Sequence, residues 1–356
     1  MTRASSERSA WIVGVVGLAG AMTGWVMAPS RFPFAWLAAL TCFLGWPLGS
    51  LALVLIHALT GGRWGFAIRS QLAAGIATLP LIVPAALPLL FVTRELYPWM
   101  QPEVAAHLHN RFYLNAAFFY ARGGIELAVW LGLAVTVLRV LRTEDPQAAL
   151  YRLAPPALIL LGFTVTFSAI DLTLSLEPTF KSSVYGMLVC AEAVLLALSI
   201  AIVGVAAAPL ASEKKVIHDL GRLLLALLVL WAYLDFMQIL IVWNSDLPDE
   251  AGWYLHRLAG RWVYLAVAIA GLHFVLPFFL LIWPPLQRSR AAIGSIAALM
   301  VLIEIPRAWW NVIPASGHGL DWVDVAAMAG LLGLAAAVAL HAFHGPRQAR
   351  AVCARG

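Results

Sequence analysis

The stretch VYGMLVCAEAVLLALSIAIVGVAAA, residues 184–208, runs through 25 positions with a single charge, Glu192. As an α-helix it spans about 37 Å at 1.5 Å per residue, enough to cross a bilayer core of about 30 Å, which takes roughly 20 apolar residues. A lone strand of that length would leave its amides unpaired in lipid, whereas a helix satisfies them internally. Nine more runs of this kind flank it. With it they lie near 11–28, 36–57, 72–92, 117–138, 154–173, 184–208, 220–243, 262–283, 292–313 and 322–343. The sequence therefore predicts an all-α polytopic membrane protein, residues 1–356 forming one transmembrane domain of about ten helices. The first run follows Arg3 and Arg8 as a signal peptide would. It is long, however, and ends in Ala28-Pro29-Ser30, a poor cleavage context, so it reads as a span.

Composition agrees. Hydrophobic residues are 62% of the chain, charged residues 12%, and mean hydropathy is +0.86. A soluble domain is nearer half apolar and a quarter charged. The net charge of +5 is scattered among loops, which gives nucleic acid no basic patch to bind. Cys42, Cys190 and Cys353 show no CxxC spacing, so no iron–sulfur cluster, c-type haem or zinc site is expected in this chain. Haem b needs two facing axial histidines. Only His57, His273 and His341 fall in or near the runs, no run carries two, and no haem is expected.

Lysine and arginine placement sets the orientation. Fifteen of the 23, including Arg63, Arg139, Lys214, Arg288, Arg347, Arg350 and Arg355, fall on one side. Seven fall on the other: Arg31, Arg94, Arg111, Lys181, Arg257, Arg261 and Arg307, while Arg122 sits inside a run. Both termini are expected on the basic, cytoplasmic side. The opposite side carries acidic loops with Glu95, Glu103, Glu177, Asp246, Asp249 and Glu250, and the two longest loops, 93–116 and 244–261. Those loops suggest a docking surface, and their Trp99, Tyr113, Trp253 and Tyr254 read first as an interfacial aromatic belt.

Polar residues inside the runs carry the functional argument, because lipid makes them costly and they usually face the bundle interior. Arg122 and Glu126 lie one turn apart in the fourth run. Thr164, Ser168 and Asp171 form a stripe in the fifth. Glu192 lies in the sixth, Asp235 and Gln238 in the seventh, His273 in the eighth, and Glu304 with Arg307 in the ninth. Most fall in the outer half. Arg122–Glu126 and Glu304–Arg307 read either as internal ion pairs or as functional groups. Asp171, Glu192 and Asp235 have no cation within a turn on their own helix. That suits them to taking up and releasing protons, with Thr164 and Ser168 as a hydroxyl relay and Glu126, Glu304 and His273 as further stations. Pro80, Pro84 and Pro88 share one face of the third run, which predicts a kinked packing helix or the wall of a polar cavity.

The richest stretch is HDLGRLLLALLVLWAYLDFMQILIVWNSDLPDEAGWYLHR, residues 218–257. It carries Trp231-Ala232-Tyr233, Phe236, Gln238, Trp243, Leu247-Pro248, Glu250, Trp253-Tyr254 and Arg257. Further blocks follow the same order along the chain: Gly62-Arg63-Trp64 with Arg69, Tyr97-Pro98-Trp99, Tyr113-Leu114-Asn115 with Arg122, Ser175-Leu176-Glu177-Pro178, and His273-Phe274 before Pro277-Phe278. Over residues 36–314 these resemble the second polysulfide-reductase-type (NrfD-like) membrane subunit of alternative complex III, a bacterial quinol:cytochrome c oxidoreductase of the respiratory chain. The resemblance implies two four-helix bundles, near helices two to five and six to nine, plus two peripheral helices in a bacterial cytoplasmic membrane. It implies as partners an iron–sulfur subunit, a multihaem cytochrome c subunit and a sister NrfD-like subunit. It implies no cofactor in this chain, with iron–sulfur clusters and haem c in the partners. Quinol oxidation is assigned in that family to the sister subunit, which argues against a quinone site here, and this subunit type is associated with assembly and proton translocation. Where the family often has a carboxylate just after the Arg69 region, this chain has Gln71 and Ala73, which removes one cytoplasmic proton entry. The readings from other classes are a proton-coupled secondary transporter and a purely structural scaffold.

The charge bias makes a direct prediction. A phosphatase reporter fused after Gly356 should be inactive and one inserted near Gly252 active. The reverse pattern would invert every assignment of inner and outer sides.

Overall fold

A computed structural model describes residues 3–108, 110–208, 214–245 and 247–344. Asp246, Arg347, Arg350, Cys353 and Arg355 lie outside the described residues, as do the side chains of Arg3 and Asp249. Among the described residues there is no strand, and ten helices are long and apolar enough to span a membrane. They are α1 (Arg3–Met27), α2 (Phe32–Thr60), α3 (Arg63–Leu96), α4 (Ala116–Val140) and α5 (Pro146–Leu172), followed by α6 (Tyr185–Ala207), α7 (Lys214–Ser245), α8 (Trp262–Ile282), α9 (Arg290–Val312) and α10 (Trp322–His344). The protein is a multi-pass membrane protein.

Each expected run matches one helix, but α1, α3, α5 and α7 begin well before the runs that signalled them. Their first turns, RASSERSA, RWGFAIRSQ, PQAALYR and KKVIHD, are too polar to register as apolar although they are helical. Because the helices alternate in direction, the described ends of α1 and α10 share one face with the short links at 61–62, 141–145 and 283–289. This is called the terminal face below. The described residues of the long links at 97–115, 173–184 and 246–261 form the opposite, loop face, and two of these links carry short helices, Pro102–His107 and Pro248–Leu258.

Helices α2 to α5 pack as one four-helix bundle and α6 to α9 as another. Helix α2 runs along the seam between them, touching α6, α9 and α10 besides its own bundle, and is the most buried of the ten. The seam is close because Gly49 lies against α6: a Cβ there would run into the carbonyl of Ala193 and reach within 2.9 Å of Ala197. A side chain at Gly45 would press on Leu196 at 3.1 Å. Outside the bundles α1 and α10 pair along their length and lean on α2 and α3. They too meet through glycine, since a Cβ at Gly330 would lie 2.8 Å from the backbone of Leu18 and one at Gly14 2.7 Å from that of Leu334.

Two helices are irregular. In α3, a 3₁₀ turn at Leu79–Leu81 interrupts the α-helix, and Thr78 ties it down by donating its hydroxyl to the Gly75 carbonyl at 2.7 Å. Pro80 and Pro84 are exposed and Pro88 is half-buried, so the proline row faces away from the bundle, and it borders neither of the two cavities described below. In α8, residues Ala270–Val275 form a π-helical turn, with the Leu276 amide bonded to Gly271 five residues back. Pro277 cannot donate to the carbonyl of His273, four residues earlier, which favours widening the helix at this point. The sequence reading did not anticipate this turn, although Pro277 was the signal for it.

Glycine substitutions test the seam. Gly49→Leu should abolish folded protein, because backbone blocks the new side chain. Gly17→Leu should cost stability while the bundles persist, on the order of the 1–3 kcal/mol of an overpacked core. Gly132→Leu, which meets nothing within 4 Å, should melt like the parent. Gel-filtration yield and melting temperature in mild detergent read all three.

Candidate functional site: a buried charge cluster in each bundle

The first bundle buries Arg122 of α4 against Asp171 of α5. The guanidinium donates through Nε to Oδ2 at 2.6 Å and through Nη2 to Oδ1 at 2.8 Å, a two-pronged pair with both partners out of solvent. Its Nη1 donates to the Tyr113 carbonyl at 3.1 Å, and the cation lies 3.8 Å from the Tyr113 ring centre and 4.3 Å from that of Phe118. Glu126, which one of the two sequence readings paired with Arg122, makes no ion pair with it. It lies buried one turn on, and its Oε1 has no hydrogen-bond partner among the described residues. A planar guanidinium matches a carboxylate best when both prongs engage, and only Asp171 offers that geometry here.

The expected hydroxyl stripe along α5 is interrupted. Thr164 donates to the Leu160 carbonyl of its own helix at 2.8 Å and accepts from Trp130 Nε1 at 2.9 Å, so its hydroxyl is engaged within α4 and α5. Ser168 borders a different space from Asp171, the cavity described below. Asp171, at the end of the stripe, is closed by arginine.

The second bundle assembles its cluster from all four helices. Arg307 and Glu304 come from α9, Glu192 from α6, His273 from the π-turn of α8 and Trp231 from α7. Arg307 Nη2 ion-pairs with Glu192 Oε2, and Nε stands 3.5 Å from Glu304 Oε1. The other oxygen of Glu304 lies 3.8 Å from His273 Nε2. His273 meets Trp231 edge-on, ring centres 4.4 Å apart, and Trp231 also lies under Arg307 at 5.4 Å. The Glu304–Arg307 pair of the sequence reading is present but loose. Glu192, which has no cation on its own helix, takes one from α9. Arg307 is a buried residue of the bundle rather than one of the outer-side loop cations among which the charge count placed it.

A cavity of about 70 Å³ lies between the bundles beside this cluster. Cys42, Ser168, Thr173, Tyr185, Glu192 and Glu304 border it. The Tyr185 hydroxyl donates to Thr173 Oγ1 at 2.7 Å, near the loop-face ends of α6 and α5, whereas Leu44 and Leu48 bound the cavity deeper along α2. The polar lining therefore leads toward the loop face. Asp235 is apart from both clusters, half-buried on α7 and without an ion pair among the described residues. Its neighbour Gln238 accepts from Ser182 at 2.9 Å and donates to the Tyr254 hydroxyl at 3.2 Å. Among the described residues no group of three His, Cys, Asp or Glu side chains is placed to hold a metal ion.

The loop face is held by a residue the sequence reading left among loop cations. Arg257 is fully buried, its guanidinium 3.7 Å from the Trp253 ring centre. It donates to Glu177 at 2.5 Å, to the Trp253 carbonyl at 3.0 Å and to the Asn311 carbonyl at 2.7 Å, joining three segments. Burial pulls this guanidinium below its ordinary pKa, and the charge and hydrogen bond of Glu177 oppose the shift. Burial likewise pushes the Tyr254 phenol upward. Trp99 and Trp253 are buried beneath the loops and are not part of an interfacial belt, because each packs into an aromatic stack, with Tyr97 and Phe180 respectively.

No protein-family model matches this chain, and no curated protein matches it in sequence.

The Arg122–Asp171 geometry generates a test. Asp171→Asn keeps the shape but removes the carboxylate that accepts hydrogen bonds from the buried guanidinium, a loss of about 3–5 kcal/mol. It should lower folded yield sharply, and Arg122→Gln combined with Asp171→Asn should recover part of it. If Asp171→Asn alone melts at the parent temperature, the pair is not structural.

Proposed function

We propose that this chain is a cofactor-free membrane subunit of an alternative-complex-III-type quinol:cytochrome c oxidoreductase, and that it holds an exchangeable proton on its second-bundle cluster. The ordered sequence blocks support the first part. So does the arrangement the resemblance implied, two four-helix bundles with a peripheral pair, and the latched loop face offers electron-carrying partners a rigid surface.

The observation that carries the second part is that one arginine faces two carboxylates beside a cavity whose polar lining leads to the loop face. With Glu192 and Glu304 both ionised and His273 neutral, the cluster is one negative charge in excess, a costly state for a buried group. One proton shared among Glu192, Glu304 and His273 makes it neutral. Passing that proton between the two carboxylates leaves the total charge unchanged, with Arg307 following whichever is ionised. Waters in the cavity, with the hydroxyls of Tyr185 and Thr173, connect the cluster toward the loop face. The first bundle supports a different role, since its two-pronged Arg122–Asp171 pair favours holding α4 to α5.

The transporter reading gains less support. Transporters pair broken helices at corresponding positions of two related halves. Aligning α2–α5 with α6–α9 matches α3 to α7 and α8 to α4, so the two irregular helices do not correspond.

Gentle purification of the tagged chain should bring down haem c and iron–sulfur subunits, and a chain purified alone at full yield would end the subunit reading. In vesicles containing the assembled complex, Glu304→Gln should lower the protons released per electron while assembly persists. An unchanged ratio would remove the proton role and leave the subunit reading standing.

A further inference from the structure

A cavity of about 440 Å³ opens on the loop face between the 97–115 and 173–184 links and the end of α7. Its size is that of a small-molecule site. Its two ends differ in chemistry. The floor, with Ile170 of α5 and Ile241 of α7, lies within spanning helices, and α7 continues outward as bare apolar surface, Ile241 49% and Trp243 83% exposed. The rim carries Lys181, Ser182, Ser183 and Glu250.

Lys181 is exposed and makes no ion pair among the described residues. Ser182 is fixed beside it by the buried Gln238, and Ser182 and Ser183 lead into α6, whose positive dipole end therefore lies next to the lysine. Glu250 supplies the opposite charge on the same rim. A cation and an anion above an apolar floor in the last turns of two spanning helices complement a molecule with a phosphate, an ammonium group and an acyl chain. We propose that this cavity seats a zwitterionic phospholipid with a primary-amine headgroup, of the phosphatidylethanolamine type. The phosphate lies at Lys181 and the serines, the ammonium at Glu250, and the first acyl carbons on Ile170 and Ile241. A primary ammonium offers Glu250 three N–H donors and a trimethylated one offers none, so the site selects ethanolamine over choline. A purely anionic lipid leaves Glu250 opposed by like charge. The inference does not depend on the subunit reading.

The test is native mass spectrometry of the purified protein, alone or in the complex that carries it, after equilibration with equal amounts of phosphatidylethanolamine, phosphatidylcholine and phosphatidylglycerol. The ethanolamine lipid should be retained preferentially. Lys181→Gln and Glu250→Gln should each cut its retention about tenfold, as expected for losing one charge-assisted hydrogen bond. Both variants should melt like the parent in lipid-free detergent, and Lys215→Gln on the terminal face should change nothing. Equal retention of the choline lipid by the parent, or undiminished ethanolamine lipid in both variants, overturns the proposal. So does displacement by soluble glycerophosphoethanolamine as effective as by the lipid, because the acyl floor would then contribute nothing.

Discussion

The contact on which the rest of this molecule depends is the approach of α2 to α6 at Gly49, where the neighbour is a carbonyl rather than a side chain. In lipid there is little hydrophobic gain in bringing helices together, so close backbone packing must supply much of the attraction. Small residues make that packing available, and α2 uses them at the seam between the bundles. The seam in turn sets the width of the space beside Glu192 and Glu304. A wider separation would open that space to lipid, and a tighter one would leave no room for water.

The two bundles solve the same electrostatic problem differently. Each buries one arginine with two carboxylates. In the first, one carboxylate takes both prongs of the guanidinium and the other, Glu126, is set aside. In the second, the arginine is divided between Glu192 and Glu304, and a histidine stands behind one of them. A two-pronged pair has a single good geometry and resists rearrangement, whereas a divided one has alternatives close in energy. That contrast is what the proposed function builds on, and it lies in how the partners are arranged rather than in residue types, which are nearly the same in both.

Much of the architecture was legible in the sequence because apolar length is a strong signal in a membrane. The run at 184–208 located α6 to within a residue at each end. The same rule failed at the starts of α1, α3, α5 and α7, where helix continues into polar turns beyond the apolar stretch. The candidate site was legible as a set of residues but not as a set of partners. Arg122 and Asp171 are 49 positions apart, and their pairing depends on the rotation of two helices about their own axes. The nearer candidate, Glu126, lies one turn along the same helix, yet Arg122 is turned to Asp171 instead. Glu192 and Arg307 are linked only because α6 and α9 are neighbours in the second bundle. Arg257 was hidden for a different reason: a cation in a loop reads as solvated, and only the fold covers it with tryptophan.

The pairing of α1 with α10 bears on how the protein is made. During synthesis α1 enters the membrane long before α10 exists, and its glycine face must wait in lipid without the surface that fits it. Neither bundle needs that pair in order to close, since their own helices are complete once α9 is inserted. The α1–α10 clasp is therefore among the last contacts available to form, together with those α10 makes to α2 and α3. A quality-control protease that samples unpaired glycine faces would see the chain as unfinished until then.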